Sequence, residues 1–344
     1  MTTSFTEIPV VDIAGLLGND PSAQAAVAAQ LGKAAREVGF LYVTGTGMDP
    51  ALYEDLVATA QDFFALPTER KMSVYIGQST NHRGYVPQGE EVLGGQPRDV
   101  KEAYDLALDL LADHPAVRAG TPLLGPNQWP DLPGFATRVG AYYDAVLALG
   151  RALLGGFAMA LGEDPDLFDA HVTTPPSQLR LIHYPYDEDA RDVVGLGAHT
   201  DYECFTLLRS TAPGLEVLNG DGVWVDAPPR PDAFVVNIGD LLEIWTNGVF
   251  VATSHRVRKV SEERWSFPLF FNVDYDTVVA PLPQFVPPGQ TPGPGVVAGD
   301  HLFAQTAQTF SYLRKQLETG DLVLPDSALA PSSFGQLARQ GSPR

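Results

Sequence analysis

The chain has 344 residues, 44% hydrophobic and 19% charged, which excludes a disordered protein and leaves enough length to bury a sizeable core. Lys and Arg number 22 against 42 Asp and Glu, and the net charge of -20 argues against nucleic acid or an anionic membrane as partner. Cys204 is the one cysteine, so an intrachain disulfide is excluded; with no basic-then-apolar leader in "MTTSFTEIPV" and no segment approaching the length of a bilayer span, a soluble cytoplasmic protein is expected.

In chain order, "IPVVDIAGLL" reads as a short strand and turn. An Asp20-Pro21-Ser22 start then opens an alanine-rich helix that stops at Gly39, before the apolar strand "FLYVTG". Pro50 opens a second helix to about residue 66. Residues 76 to 100, rich in glycine and without clean periodicity, read as loop. From Leu132 to Leu161, Phe135, Val139, Tyr142, Val146, Leu149, Leu153 and Phe157 recur at steps of three and four, one buried stripe of a long scaffold helix.

From Ser177 the pattern changes to short β-branched and aromatic runs separated by Gly, Pro and Asp, with a hairpin turn near Asn219 to Gly222. That spacing predicts a β-sandwich or jelly roll. The proline-rich stretch 280–295 closes the strand region, and residues 301–317 read as one terminal helix. The expected organisation is an α/β region over 1–120, a scaffold helix, β core and terminal helix over 121–319, and a tail over 320–344. The long helix and the terminal helix are possible interface surfaces, but the sequence does not give the oligomeric state.

"GLGAHTDYECFTLL" at 195–208 places His199 and Asp201 two residues apart, on one side if they share a strand. His255 lies 54 residues beyond Asp201, a gap that fits a return on a neighbouring strand. Two imidazoles and one carboxylate make the facial triad of a non-haem Fe(II) site with three open positions, although zinc uses the same ligand types. Arg264 and Ser266 also share parity, and a guanidinium with a hydroxyl suits a carboxylate. The run Arg256, Arg258, Lys259 and Arg264 is where an anionic cofactor is expected, against the overall sign of the chain.

With these motifs in view, the chain resembles the Fe(II)/2-oxoglutarate-dependent oxygenases of the isopenicillin N synthase-like family. The matching residues are "HTD" at 199–201, His255 in "NGVFVATSHRV" and "RWS" at 264–266, with further likeness in "LRLIHYP", "IPVVDIAGL", "AAREVGFLYVTG" and "KEAYDL". The resemblance implies a mainly β fold with flanking helices around a distorted double-stranded β-helix, a cupin-like jelly roll. It implies Fe(II) on His199, Asp201 and His255, 2-oxoglutarate with its distal carboxylate on Arg264 and Ser266 assisted by Tyr184, and O2 as second co-substrate. The implied reaction hydroxylates or desaturates a small organic molecule and releases succinate and CO2. Alternatives within reach of the same motifs are an iron oxidase that does not use 2-oxoglutarate, an ethylene-forming enzyme, and a scaffold that only binds metabolites.

One departure is His183, where many plant-type relatives carry asparagine before the tyrosine; opposite parity to Tyr184 makes it a packing or hydrogen-bonding residue. His82, His114, His171 and His301 have no matching context and are read as ordinary polar residues. Cys204, opposite in parity to His199 and Asp201, reads as a small buried residue. The candidates for the substrate cavity are Arg83, Tyr85, Tyr104, Phe205, Leu207 and Trp245, with core packing the competing role for each apolar one and a loop tie the competing role for Arg83.

Overall fold

A computed structural model describes residues 3–91, 101–186, 194–258, 262–293 and 295–325. After strand β1 (Val10–Asp12), helix α1 (Pro21–Glu37) begins where the Asp20 side chain accepts the Ser22 amide and Pro21 takes a position that needs no donor. It stops at Gly39, whose φ is +72° and where a Cβ would lie 2.2 Å from the Val251 carbonyl, so glycine alone fits. Strand β2 (Phe40–Thr44) follows, and Asp49 caps α2 (Pro50–Phe64) in the same way as Asp20 caps α1.

The chain continues through α3 (Thr68–Met72), β3 (Gly84–Val86), β4 (Glu102–Ala107), α4 (Pro115–Arg118) and α5 (Phe135–Ala160). The β core comprises β5 (Gln178–Tyr184), β6 (Val194–His199), β7 (Phe205–Ser210), β8 (Leu215–Leu218), β9 (Trp224–Asp226) and β10 (Phe234–Ile238), then α6 (Asp240–Trp245), β11 (His255–Arg258) and β12 (Arg264–Phe271). A short pair, β13 (Val278–Val279) and β14 (Val296–Val297), leads to α7 (Ala298–Thr309) and α8 (Ser311–Thr319).

Eight strands form one sheet in the order β1-β2-β10-β7-β12-β5-β4-β3, and four form the facing sheet in the order β6-β11-β8-β9. Residues of both sheets line one cavity, so the pair makes the distorted double-stranded β-helix that the resemblance implied. The first four strands extend the larger sheet at both edges. The hairpin expected near Asn219 is β8–β9, with the Asn219 carboxamide oxygen accepting the amides of Asp221 and Val223.

All seven residues of the stripe read in α5 are buried, against α1, α2 and the outer face of β12. Gly150 permits the close approach: a Cβ there would sit 2.3 Å from the Phe271 ring. Contrary to the sequence expectation, this helix is long and apolar enough to cross a bilayer by length and composition; its apolar surface is instead spent on the core. A second correction concerns the terminal helix, which breaks at Phe310 with φ -90° and ψ 130°. Phe310 forms an antiparallel bridge with Glu91 and packs its ring edge-on against His82 at 4.4 Å, tertiary contacts that override the local helical period. Beyond residue 325 the expected tail lies outside the described residues.

Candidate functional site

His199 ends β6 and His255 begins β11, and the two are direct partners in the antiparallel register, with ring centroids 4.4 Å apart. Asp201 is not on the strand: β6 stops at His199, and Asp201 sits in the turn before β7. That turn is held by the start of α6, where the amides of Gly239, Asp240 and Leu241 donate to the carbonyls of Cys204, Asp201 and Glu203. A Cβ on Gly239 would lie 2.2 Å from the Glu203 carbonyl, so the sequence "NIGD" allows the contact. The turn carries Asp201 Oδ1 to 3.6 Å from His199 Nε2 and 3.5 Å from His255 Nε2, and the three candidate ligand atoms lie within 4.8 Å of one another.

Each group is aimed by a further partner. His199 Nδ1 lies 2.8 Å from the Gly197 carbonyl and His255 Nδ1 3.3 Å from the Thr253 carbonyl. A carbonyl only accepts, so Nδ1 carries the hydrogen and Nε2 is left with its lone pair toward the centre. Asp201 Oδ2 accepts from Asn237 Nδ2 at 2.7 Å and from the Thr206 hydroxyl, which leaves Oδ1 for the centre.

Burial opposes ionisation of Asp201, yet the adjoining His255, then His199 and Asn237, hold its carboxyl well below the usual range. Burial and the neighbouring His255 push His199 down to about 4, so it is neutral at pH 7, as a metal ligand must be. His255 is raised despite burial because Asp201 faces it. Glu203, in the same turn, is pushed up to about 8 by burial and by Asp201.

The triad opens on a cavity of about 180 Å³. Strand alternation turns Arg264, Ser266, Pro268 and Phe270 of β12 into it, and on the neighbouring β5 Gln178, Arg180, Ile182 and Tyr184. The register pairs Arg264 with Tyr184 and Phe270 with Gln178, so the cavity has two distinct ends. At one end Arg264 is 1% exposed, and burial lowers its pKa. Its Nε donates to the Ala212 carbonyl at 3.2 Å and Tyr184 is a further hydrogen-bond partner, but Nη1 has none among the described residues. An unpaired buried donor of this kind costs free energy unless an anion completes it, so the residues fit a dicarboxylate reaching from the triad to Arg264.

At the other end the ions are saturated. Arg180 binds Asp105 through Nε at 2.7 Å and Nη2 at 2.8 Å and reaches Glu91 at 2.5 Å, while Lys101 Nζ lies 2.9 Å from Glu91.

Several residues named from the sequence lie elsewhere. Arg83 is 1% exposed, with its guanidinium donating to the carbonyls of Asn81, His82 and Leu123 and tying that loop down. Tyr85 and Tyr104 pack on Phe63 and donate to Glu102 and to the Gln128 carbonyl. Trp245 stacks on Phe168 in the core. Phe205 and Leu207 are fully buried on the helix side of β7, with Phe205 stacked on Phe271. The turn after His199 resets the strand phase, so Thr206 and Leu208 face the cavity instead.

His183 stacks on Trp265 at 4.1 Å and pairs with Glu102 and Glu263, a packing residue as expected, and Cys204 is fully buried. His114 caps α4 and His171 packs on Trp245, whereas His82 lines the cavity. Of the basic run, Arg256 pairs with Glu216 and Arg258 with Asp226; Lys259 lies outside the described residues. Thr206, Asn237, Arg180 and Glu203 were missed. A polar residue inside the apolar run "FVVNI" was the available signal for Asn237.

Comparison with known proteins agrees with this geometry. Residues 175–273 match the family model of the 2OG-Fe(II) oxygenase superfamily, and residues 8–132 match that of the non-haem dioxygenase in morphine synthesis N-terminal region. Homoarginine-6-hydroxylase 2-ODD-233 of Oryza sativa subsp. japonica is 35% identical over 329 residues, covering 90% of this chain and 99% of that protein. Isopenicillin N synthase of Streptomyces griseus is 33% identical over 310 residues, covering 86% and 93%. The crystal structure of a full-length Neurospora crassa protein in complex with alpha-KG superposes with a TM-score of 0.76 at 27% identity, covering 89% of this chain and 99% of that one. The chain therefore belongs to the isopenicillin N synthase-like group of Fe(II)/2-oxoglutarate-dependent oxygenases, enzymes that oxidise a small organic substrate.

Proposed function

We propose that His199, Asp201 and His255 hold the Fe(II), that Arg264, Ser266 and Tyr184 hold the distal carboxylate of 2-oxoglutarate, and that the reaction with O2 is a hydroxylation. When bound, Fe(II) with 2-oxoglutarate and O2 supplies the oxidation of a substrate C–H bond, with release of succinate and CO2. The residues of the chain bind and orient. The two carbonyls fix the imidazole tautomers, Asn237 and Thr206 occupy the second carboxylate oxygen, and Arg264 gives the co-substrate a fixed direction.

The observation that carries this reading is the buried, unpaired Nη1 of Arg264 in the cavity onto which the triad opens. Hydroxylation, rather than desaturation, is supported by the name of the rice relative. A cytoplasmic setting belongs to the same reading, since the single cysteine is buried and makes no disulfide.

The test is to load the protein with Fe(II) without oxygen and add 2-oxoglutarate. A change in the iron spectrum is expected, and its absence would sink the assignment. His199→Ala is expected to lose 2-oxoglutarate turnover while keeping its circular dichroism; unchanged turnover would remove that residue from the site. Succinate formed in step with a product gaining one oxygen atom separates hydroxylation from desaturation and from oxidation without 2-oxoglutarate. Ethylene in the headspace would indicate fragmentation of the co-substrate instead.

A further inference from the structure

The pair Arg264 and Tyr184 is the last rung of the ladder between β12 and β5, since Arg264 opens the one strand and Tyr184 ends the other. Strand ends fray unless something ties them. Their two side chains face the cavity, and the next rung, Trp265 opposite His183, faces the other way.

His183 stacks on Trp265 with ring centroids 4.1 Å apart and planes within 7°. The same ring meets two carboxylates: Nδ1 lies 3.0 Å from Glu102 Oε1, and Nε2 lies 2.8 Å from Glu263 Oε1. Glu102 is the first residue of β4 and the register partner of His183, while Glu263 immediately precedes Arg264. One side chain thus joins the ends of β4, β5 and β12, which are neighbours in the larger sheet. A carboxylate only accepts, so a ring bonded to both donates from both nitrogens and carries a positive charge.

Glu102 is a firm anchor, because Lys71 Nζ and the Tyr85 hydroxyl each lie 2.6 Å from its Oε2. Burial opposes its ionisation, yet the hydrogen bonds from His183, Lys71 and Tyr85 hold its carboxyl below the usual range. On the β7 side Trp265 is already pinned: its amide donates to the Thr211 hydroxyl and its carbonyl accepts the Thr211 amide, each at 3.0 Å. On the β5 side the corresponding side-chain tie is His183.

We infer that His183 is a positioning residue for 2-oxoglutarate: by stacking on Trp265 and bonding Glu102 and Glu263, it fixes the rung from which Arg264 and Tyr184 meet the distal carboxylate. This rests on the reading of the site proposed above and deepens it. A guanidinium grips a carboxylate through a planar fork, so affinity depends on where the strand end places that fork. His183 itself does not line the cavity and acts through its neighbours.

The test uses full-length protein loaded with Fe(II) without oxygen and titrated with 2-oxoglutarate, followed by the iron spectrum. Lys71 and Tyr85 keep Glu102 paired in His183→Leu, so this variant is expected to fold. Its dissociation constant for 2-oxoglutarate is expected to rise about 10-fold, with Fe(II) affinity against a chelator staying within about 2-fold. In turnover the loss falls on KM for 2-oxoglutarate and not on kcat for succinate formation, which a general loosening of the site would lower as well. Glu263→Ala, at a half-exposed position, is expected to weaken 2-oxoglutarate binding about 3-fold, and Glu263→Gln, whose carboxamide oxygen still accepts from His183, to restore it.

An unchanged dissociation constant in His183→Leu, a loss of Fe(II) affinity and kcat in step with it, or equal losses in Glu263→Ala and Glu263→Gln would each overturn the assignment. If His183→Leu does not fold, the Glu263 pair decides by itself, and undiminished affinity in Glu263→Ala counts against the role. Failure of the wild-type protein to bind 2-oxoglutarate defeats the reading of the site; normal wild-type binding that His183→Leu leaves unchanged defeats the positioning role alone.

Discussion

Arg264 and Arg180 line the same cavity on paired strands, yet the protein treats them oppositely. Arg180 is clasped by Asp105 and Glu91, and its pKa is raised despite the cost of burial. Arg264 has a carbonyl and a tyrosine for partners, keeps Nη1 unpaired, and its pKa is lowered by burial. A buried cation supplied with carboxylates by its own chain is part of the wall, whereas one left short of acceptors is a binding group whose counter-ion comes from outside. Arg83 is equally buried and also leaves one donor, Nε, without a partner, but it does not line this cavity, and its other donors tie down the carbonyls of Asn81, His82 and Leu123.

The contrast breaks first if the two arginines respond alike. Arg180→Met leaves Asp105 and Glu91 buried without their shared partner, and the folded state is expected to lose about 3–5 kcal/mol in urea unfolding. Arg264→Met deletes an incompletely satisfied donor, so unfolding stability should change by less than about 1 kcal/mol while 2-oxoglutarate affinity falls about 100-fold. Equal stability losses in the two variants, or an undiminished affinity in Arg264→Met, would erase the distinction.

Between the two ends, Asp201 depends on Asn237 and Thr206 to keep Oδ2 occupied. Asn237→Ala or Thr206→Val is expected to weaken Fe(II) binding about 10–100-fold in competition with a chelator, whereas Thr206→Ser keeps the hydroxyl and should restore it. An equal loss in Thr206→Ser would mean that packing, rather than the hydrogen bond, supports Asp201.

How far the site was legible in the sequence depended on strand regularity. Arg264 and Ser266 share a face because β12 is unbroken from Arg264 to Phe271, so counting by twos worked. Phe205 and Leu207, named for the cavity, point away from it because the turn at 200–204 separates β6 from β7 and restarts the alternation. The long helix was legible because its stripe is a local property of residues three and four apart. The break at Phe310 was not, because it is imposed by Glu91 and His82, more than two hundred residues earlier. Lys101 and Arg180 stand in the matched stretches "KEAYDL" and "LRLIHYP", but neither those stretches nor Glu91 announced an ion cluster; their charges acquire meaning only when the edge of the larger sheet brings them together.

The smallest expected effect is a pH dependence at the Arg180 end that the Arg264 end should not share. Burial opposes ionisation of Glu91, but Arg180 and Lys101 hold its carboxyl at about 2, against an ordinary value of 4.5. A carboxyl whose pKa is lower in the folded state contributes stability that is fully present above about pH 4.5 and is lost as the pH falls toward about 2. Glu91→Gln removes that proton uptake, so its unfolding free energy should fall less steeply than wild type between pH 4.5 and about pH 3. Among the described residues Arg264 faces no carboxylate, so the acid-side slope of Arg264→Met in the absence of 2-oxoglutarate should match wild type. A slope unchanged in Glu91→Gln would place the acid sensitivity in other carboxylates, and a slope reduced in Arg264→Met would mean that its end of the cavity is not free of internal counter-ions.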